Sequence, residues 1–304
     1  MNRREFLRIA AASGAAVAGG ISNGALFGSY DQLESHARLA VVQNGLPAAM
    51  VQKAIEALGG IGRFVKRGDV VVVKPNIGWD RVPEQAATTN PEVVAEIVRL
   101  CLHAGASKVK VFDRTCNEPR RCYHRSQIEQ LARQAGAEVS HIYEQKFKTA
   151  AIPNGQQLKS WPFYADALEA DVYINVPIAK HHSLSRLTLG LKNTMGIIGG
   201  NRGQIHNHFD QKIVDLNTVI RPQLTIIDAV RILVNNGPQG GNLNDVKETK
   251  TIIASIDPVA ADAYAATLFG LRPTELSFLV EAQKRGLGSF DFNQMKIEKI
   301  DLKA

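Results

Sequence analysis

The residues able to do chemistry are densest between Lys180 and His208. Lys180-His181-His182 is followed by Thr188, by Leu191-Lys192-Asn193-Thr194-Met195-Gly196, by Gly199-Gly200-Asn201-Arg202-Gly203, and by His206-Asn207-His208. Imidazoles titrate near neutral pH and suit proton transfer. A lysine such as Lys192, with Arg202 and other cations nearby, is a candidate for a lowered pKa and hence for nucleophilic character. Gly196, Gly199, Gly200 and Gly203 let the backbone turn sharply and expose amide hydrogens, so the loop is a candidate cradle for an anion. His206 and His208 cannot share a helix face. On an extended segment they point the same way and both could reach a metal. His181 and His182 are adjacent and diverge, so at most one of them faces the same centre. No Gly-Lys-Ser/Thr follows the glycines, and the spacing is not that of a dinucleotide fingerprint.

Those residues need elements to hold them. Apolar, β-branched runs predict strands at Leu39-Gln43, Asp69-Val73, Lys108-Phe112, Glu138-Tyr143, Asp171-Val176, Leu224-Asp228 and Thr251-Ser255. Helical periodicity falls at Ala48-Leu58, Pro91-Ala104, Arg125-Ala135, Asp210-Val219, Pro258-Phe269 and Pro273-Lys284. Asn90-Pro91 and Asp257-Pro258 each set a capping side chain before a proline at the first helical position. Gly105, Gly136 and Gly270 sit where helices should stop. Strand-helix alternation with continuous runs such as Val70-Val71-Val72-Val73 predicts an α/β fold. Its sheet is mostly parallel and flanked by helices, in a single domain with elaborated loops.

Polar clusters follow the expected strands: Lys74-Pro75-Asn76, Asp113-Arg114-Thr115, Pro177 to His182, Asp228, and Ser255-Ile256-Asp257. Ligands of open α/β sheets bind beyond the carboxyl ends of the strands, so five such clusters predict one shared crevice. Asp228 is placed to orient a histidine or lysine there. Asp257 could bind a ligand, although capping the next helix accounts for it fully, and Asp262 could face the sheet's end. Asn235-Asn236-Gly237-Pro238 reads as a turn, extended as a lid by Gln239 to Gly241.

Composition narrows the class of partner. The chain has 304 residues, 45% hydrophobic and 21% charged, as in an ordinary globular protein. Its formal charge is +7 without any long basic run or nucleic-acid motif, which favours an anionic small molecule over nucleic acid. Arg114, Arg120 and Arg121 are further anion-binding candidates, or simply a solvated basic loop. Cys101, Cys116 and Cys122 form no Cys-x-x-Cys pair, so no iron-sulfur cluster or zinc ribbon is encoded that way. Cys101 reads as core. Cys116 and Cys122 are either a pair or two free thiols.

Lys74-Pro75-Asn76, Thr188-x-x-Leu191-Lys192-Asn193-x-Met195-Gly196, Asn236-Gly237-Pro238 and Ser255-x-Asp257-x-x-Ala260-x-Asp262 together resemble the family called domain of unknown function 362, over roughly residues 38 to 275. The Lys-His…Gly-Leu-Lys-Asn-x-Met-Gly layout is also similar to the amino-terminal domain of nickel-pincer lactate racemases. That resemblance implies a proton-shuttling histidine at His182, a lysine tethering a pyridinium-dithiocarboxylate nucleotide at Lys192, and a nickel ligand at His208. Lys74-Pro75-Asn76 stands where the racemases carry Asp-x-Thr-Arg, and the chain is shorter, so lactate racemization does not follow. Together these readings give His182, Lys192 and Lys74 as catalytic candidates. Lys192, Asn193, Gly196, Gly199, Gly200 and Asn76 are the cofactor-binding candidates, and His206 and His208 the metal-binding ones. The cofactor is a metal ion, a nickel-pincer-like nucleotide, or neither.

Met1-Asn2-Arg3-Arg4-Glu5-Phe6-Leu7-Arg8, with the Ala/Gly-rich run from Ile9 to about Ile21, resembles a twin-arginine export signal. Asn2 stands for the usual Ser/Thr and Arg8 for the usual Lys. The resemblance implies residues 1–28 as signal, residues 29–304 as the α/β domain, the twin-arginine translocase as partner, and a periplasmic or otherwise exported destination. The apolar run is too short and Gly-rich for a stable membrane span. Two functions fit these features. One is an exported enzyme doing proton-transfer or redox chemistry on an anionic small molecule. The other is a non-catalytic metal- or cofactor-binding or assembly protein for an exported redox system.

Overall fold

The computed structural model describes residues 38–303 together with His36. The expected signal, residues 1–28, lies outside the described residues. In chain order the strands are β1 (Leu39–Gln43), β2 (Val70–Pro75), β3 (Lys108–Val111), β4 (Glu138–Val139), β5 (Phe147–Ala151), β6 (Ser160–Tyr164), β7 (Val172–Val176), β8 (Ile178–His182), β9 (Arg186–Thr188), β10 (Leu224–Leu233), β11 (Val246–Ser255) and β12 (Ile297–Asp301). All but β5 and β6 join one sheet, ordered β12-β1-β11-β10-β7-β2-β3-β4, with β8 continuing beside β10 and β9 beside β8. Pairing is parallel except where β11 lies between β1 and β10 and where β9 folds back on β8. The α/β fold with a mostly parallel sheet is therefore as the sequence implies.

Alternation along the strands sends side chains to two cores. Val71 and Val73 pack with Met50, Val94 and Val98 from helices Pro47–Ala57 and Pro91–His103. Val72, between them, packs on the other face. There Ile213, Val259 and Phe278 come from helices Phe209–Val219, Pro258–Thr267 and Ser277–Lys284. The caps act as their sequence indicates. The Asn90 side chain accepts from Glu92 N, and Asp257 Oδ1 accepts from Val259 N and Ala260 N.

Several boundaries differ from expectation for identifiable reasons. The helix expected at Arg125-Ala135 is two helices, Pro119–Arg125 and Ile128–Gln134, because Gln127 takes a left-handed conformation at φ 60°. The last helix starts at Ser277, after a 3-10 turn at Pro273–Glu275. β10 and β11 run well past their apolar halves as an antiparallel arm carrying Arg231, Lys247, Glu248 and Lys250. Polar residues on an arm of this kind erase the apolar run that marks a buried strand. β11 also points opposite to its neighbours. Its carboxyl end, Ser255–Asp257, consequently leads away from the carboxyl edge of the parallel strands.

Candidate functional site: a cationic crevice

β2 has β3 on one side and β7 on the other, so the chain leaves these strands in opposite lateral directions. The loops beyond their carboxyl ends part at this switch point and leave a crevice. Its volume is about 440 Å³. Asn76 reaches it from β2. Asp113, Arg114 and Cys116 come from the segment after β3, and Lys180 and His182 from β8. Thr188 ends β9. Lys192 and Asn193 lie on the short helix Gly190–Asn193, and Arg202 and His206 on the 3-10 turn Arg202–His206. Asp113 is the one carboxylate lining the crevice among the described residues.

The floor is a buried polar network around an ion pair. Lys74, 0% exposed, makes a 2.9 Å ion pair with Asp113 and donates to Pro75 O and Asn193 Oδ1. Burial pulls its pKa down, and the Asp113 carboxylate opposes that pull. Asn193 also accepts from Asn76 Nδ2 and donates to Lys74 O and Asn175 Oδ1. It knots β2, β7 and the Lys192 helix together. A Cβ on Gly196 would sit 1.8 Å from Asp113 Oδ1 and 2.5 Å from Lys74 Nζ, so only glycine lets the backbone lie on this ion pair.

The wall carries the titrating groups. Lys192 Nζ lies 3.0 Å from His206 Nε2 and 4.6 Å from the centroid of the Phe209 ring. Burial, then the charge of Lys180, brings Lys192 down to about 7. Burial likewise brings Lys180 to about 7. Lys180 donates to Ala87 O and Asn76 Oδ1. The His182 ring stacks on His206 at 5.6 Å between centroids. Its Nδ1 accepts from the backbone N–H groups of Leu184 and Ser185, so the neutral ring carries its proton on Nε2. Burial and the Lys192 charge push His182 to about 2, which keeps it neutral. Arg202 spends its guanidinium on Arg114 O and Thr115 O, and Arg114 on Ile198 O, Gly200 O and Glu144. Both arginines supply positive potential more than free donors.

Not every expected residue converges here. Gly196 and Gly200 line the crevice. Gly199 instead faces the β5–β6 hairpin, where its N–H donates to Pro162 O and a Cβ would strike Phe147. His206 and His208 do not form a pair. His206 lines the crevice, whereas His208 is exposed, sits at φ 54° before helix Phe209–Val219, and lines a separate depression with Asp210 and Gln211. His206 closes the 3-10 turn and His208 is left-handed, so only Asn207 between them has the extended backbone that would align them. Asp228 orients no histidine or lysine. It accepts from Asn90 N and Val230 N, and burial pushes it up to about 6. Asp257, at the far end of β11, caps its helix and accepts from Ser289 N. Cys101, Cys116 and Cys122 are all free thiols, and only Cys116 is exposed.

The pincer resemblance asks for a lysine, a histidine beside it and a metal-binding histidine. Lys192 and His182 share the crevice, but His208 does not line it, so the residues fit the tethering half of that arrangement and not the metal half. Among the described residues no group of three or more His, Cys, Asp or Glu is placed to hold a metal. Two contributors carried weaker sequence signals. Lys180 and Thr188 stood in the dense segment, but only a strand turning back after His182 puts them side by side.

A three-layer α/β protein with a lysine- and histidine-lined crevice at the switch point is the class that fold and site define. The chain belongs to the DUF362 family, domain of unknown function, whose model matches residues 71–267. A thylakoid-associated protein of Synechocystis sp. is 27% identical over 247 residues, covering 79% of this chain and 75% of the relative. Among solved structures, the lactate racemase apoprotein of Thermoanaerobacterium thermosaccharolyticum aligns with a TM-score of 0.47 at 10% identity, over 84% of this chain. The chain spans 60% of that racemase. A Thermotoga maritima protein aligns with a TM-score of 0.39 at 12% identity, covering 74% of this chain and 58% of its own.

Proposed function

We propose that this protein is an exported enzyme that binds an anionic small molecule in the crevice and moves a proton on it with Lys192 and His206. The contact between Lys192 Nζ and His206 Nε2 at 3.0 Å, in the wall of a predominantly cationic crevice, carries this reading. An amine with a pKa near 7 is divided between its two forms at neutral pH, the condition under which a group serves best as both base and acid. His206 Nδ1 faces Gly203 O at 3.3 Å, which leaves Nε2 to accept from the lysine and fixes the amine's position. Surrounding cations draw the anion in. Neutral His182 adds a donor without adding charge. Export rests on Arg3-Arg4-Glu5-Phe6-Leu7 and the Ala/Gly-rich run that follows, with the twin-arginine translocase as partner.

The test is solvent exchange. The full chain is incubated in D2O with a panel of carboxylic, phosphorylated and sulfonated small molecules, and deuterium entry is read by mass spectrometry. Exchange that is lost in Lys192→Met supports the proposal. Binding without exchange across the panel overturns the catalytic half and leaves a carrier. Exchange unchanged in Lys192→Met removes the lysine from the mechanism.

A further inference from the structure

β8 and β9 form a hairpin in which Lys180 pairs with Thr188, His181 with Leu187 and His182 with Arg186. Directly opposed residues share a face of the ladder, as do residues two apart on one strand. Lys180, His182 and Thr188 therefore project together, and all three line the crevice. His181 projects to the other side, where its Nδ1 accepts from Gly237 N.

The donors on this face are unevenly used. In its protonated form, which a bound anion favours, Lys180 Nζ commits two protons, to Ala87 O and Asn76 Oδ1, and keeps one. His182 keeps its Nε2 proton because Nδ1 is occupied by two backbone N–H groups. Thr188 is 4% exposed, and its Oγ1 has no hydrogen-bond partner among the described residues. Thr88 and Thr225 also carry unpartnered hydroxyls, but neither lines the crevice. A buried hydroxyl left without a partner is unfavourable, and where it faces a cavity among free donors a ligand is the natural partner.

We infer that the Lys180–His182–Thr188 face of the β8–β9 hairpin is the seat for a carboxylate group of the ligand. The inference rests on the anion-binding reading of the crevice. Lys180 N–H, Thr188 O–H, His182 Nε2–H and the Lys192 amine offer about as many donors as a carboxylate has lone-pair sites. Phosphate is the poorer match. The arginine forks that would clamp it are bound to backbone carbonyls in Arg114 and Arg202. Three of the four donors stand on paired strands and so hold a fixed geometry. The remainder of the ligand extends past Trp79, Met195 and Pro238, which line the same crevice.

The experiment titrates the full chain with benzoate, with its neutral analogue benzamide, and with inorganic phosphate. Binding is read by NMR on the indole N–H of Trp79, assigned with Trp79→Phe. Benzoate is expected to bind, benzamide not, and phosphate more weakly than benzoate. Thr188→Val should weaken benzoate about ten-fold or more, as loss of a hydrogen bond to a charged group does. Thr188→Ser, which restores the hydroxyl, should return affinity to near the wild type. Thr188→Val should also unfold at the same urea concentration as wild type or higher, since it removes an unpartnered hydroxyl. Unchanged benzoate affinity in Thr188→Val overturns the seat alone. So does a Thr188→Val protein that loses stability along with binding, which makes the threonine structural. Phosphate binding tighter than benzoate overturns the carboxylate assignment. A wild-type chain that binds neither anion overturns the reading of the crevice itself.

Discussion

Asp262 lies on helix Pro258–Thr267, is 0% exposed, and its carboxylate accepts from Gly190 N at 2.6 Å and Leu191 N at 2.9 Å. Those N–H groups open the short helix that carries Lys192, so the carboxylate fixes where the amine stands. Asp262→Ala strands two buried backbone donors at about 1–3 kcal/mol each, for a total cost of about 2–6 kcal/mol. Asp262→Asn keeps one acceptor and turns an NH2 toward the second N–H, so its cost is about half as large. The more specific effect is on Lys192. A loosened helix lets water reach the amine, relieves the burial that holds it near 7, and moves its pKa toward the ordinary 10.5. Lysine side chains labelled with 15N and titrated by NMR report that pKa directly, while urea unfolding reports stability. An Asp262→Asn protein that loses stability by this amount while Lys192 titrates in place would refute the coupling between the carboxylate and the amine.

Three other outcomes are expected. Lys180 and Lys192 are each lowered to about 7 from 10.5, so between those values the unfolded chain holds protons that the folded chain has released. Stability should therefore rise from about pH 7 to 8.5, on the order of 1 kcal/mol per pH unit for each lysine, and that gain should vanish as pH falls to 7; a flat or falling urea midpoint contradicts it. Gly196→Ala drives a Cβ into the Lys74–Asp113 ion pair and should cost about 3–5 kcal/mol in denaturant unfolding, as breaking a buried pair does. Iodoacetamide should label Cys116 alone in the folded chain, because burial pushes Cys101 up to about 12 and Cys122 up to about 11, and peptide mapping locates the adduct.

Local spacing made much of this molecule legible. Val70-Val71-Val72-Val73 marked a strand buried on both faces, and Asn90-Pro91 and Asp257-Pro258 marked helix starts whose caps form as read. Lys74 and Asn76 are site candidates from their place at a strand end, and Lys192 from its cation- and glycine-rich segment and the family resemblance; all three sit at the crevice or in its floor. What was hidden depends on direction and on distant pairing. Nothing within Thr251-Ser255 says that β11 runs against its neighbours, so Asp257 was placed at the wrong end of the sheet. His206 and His208 are two residues apart, but a 3-10 turn ending at His206 and a left-handed backbone at His208 turn them to separate surfaces. Lys180 and Thr188 become neighbours only through the β8–β9 register, and polar residues on both strands conceal that hairpin.

The position of β1 has a consequence for how the chain is made. Leu39 pairs with Ser255 on one side and with Ile297 on the other, and both partners belong to late segments of the sequence. β2, β3 and β7 supply the crevice floor and can associate earlier in synthesis. β1, in contrast, has no neighbour in the sheet until residues 246–255 have been made. Closure of the sheet is therefore an event of high contact order, slow relative to formation of the helical layers. Until it occurs, an apolar segment, Leu39-Ala40-Val41-Val42, stays available to chaperones.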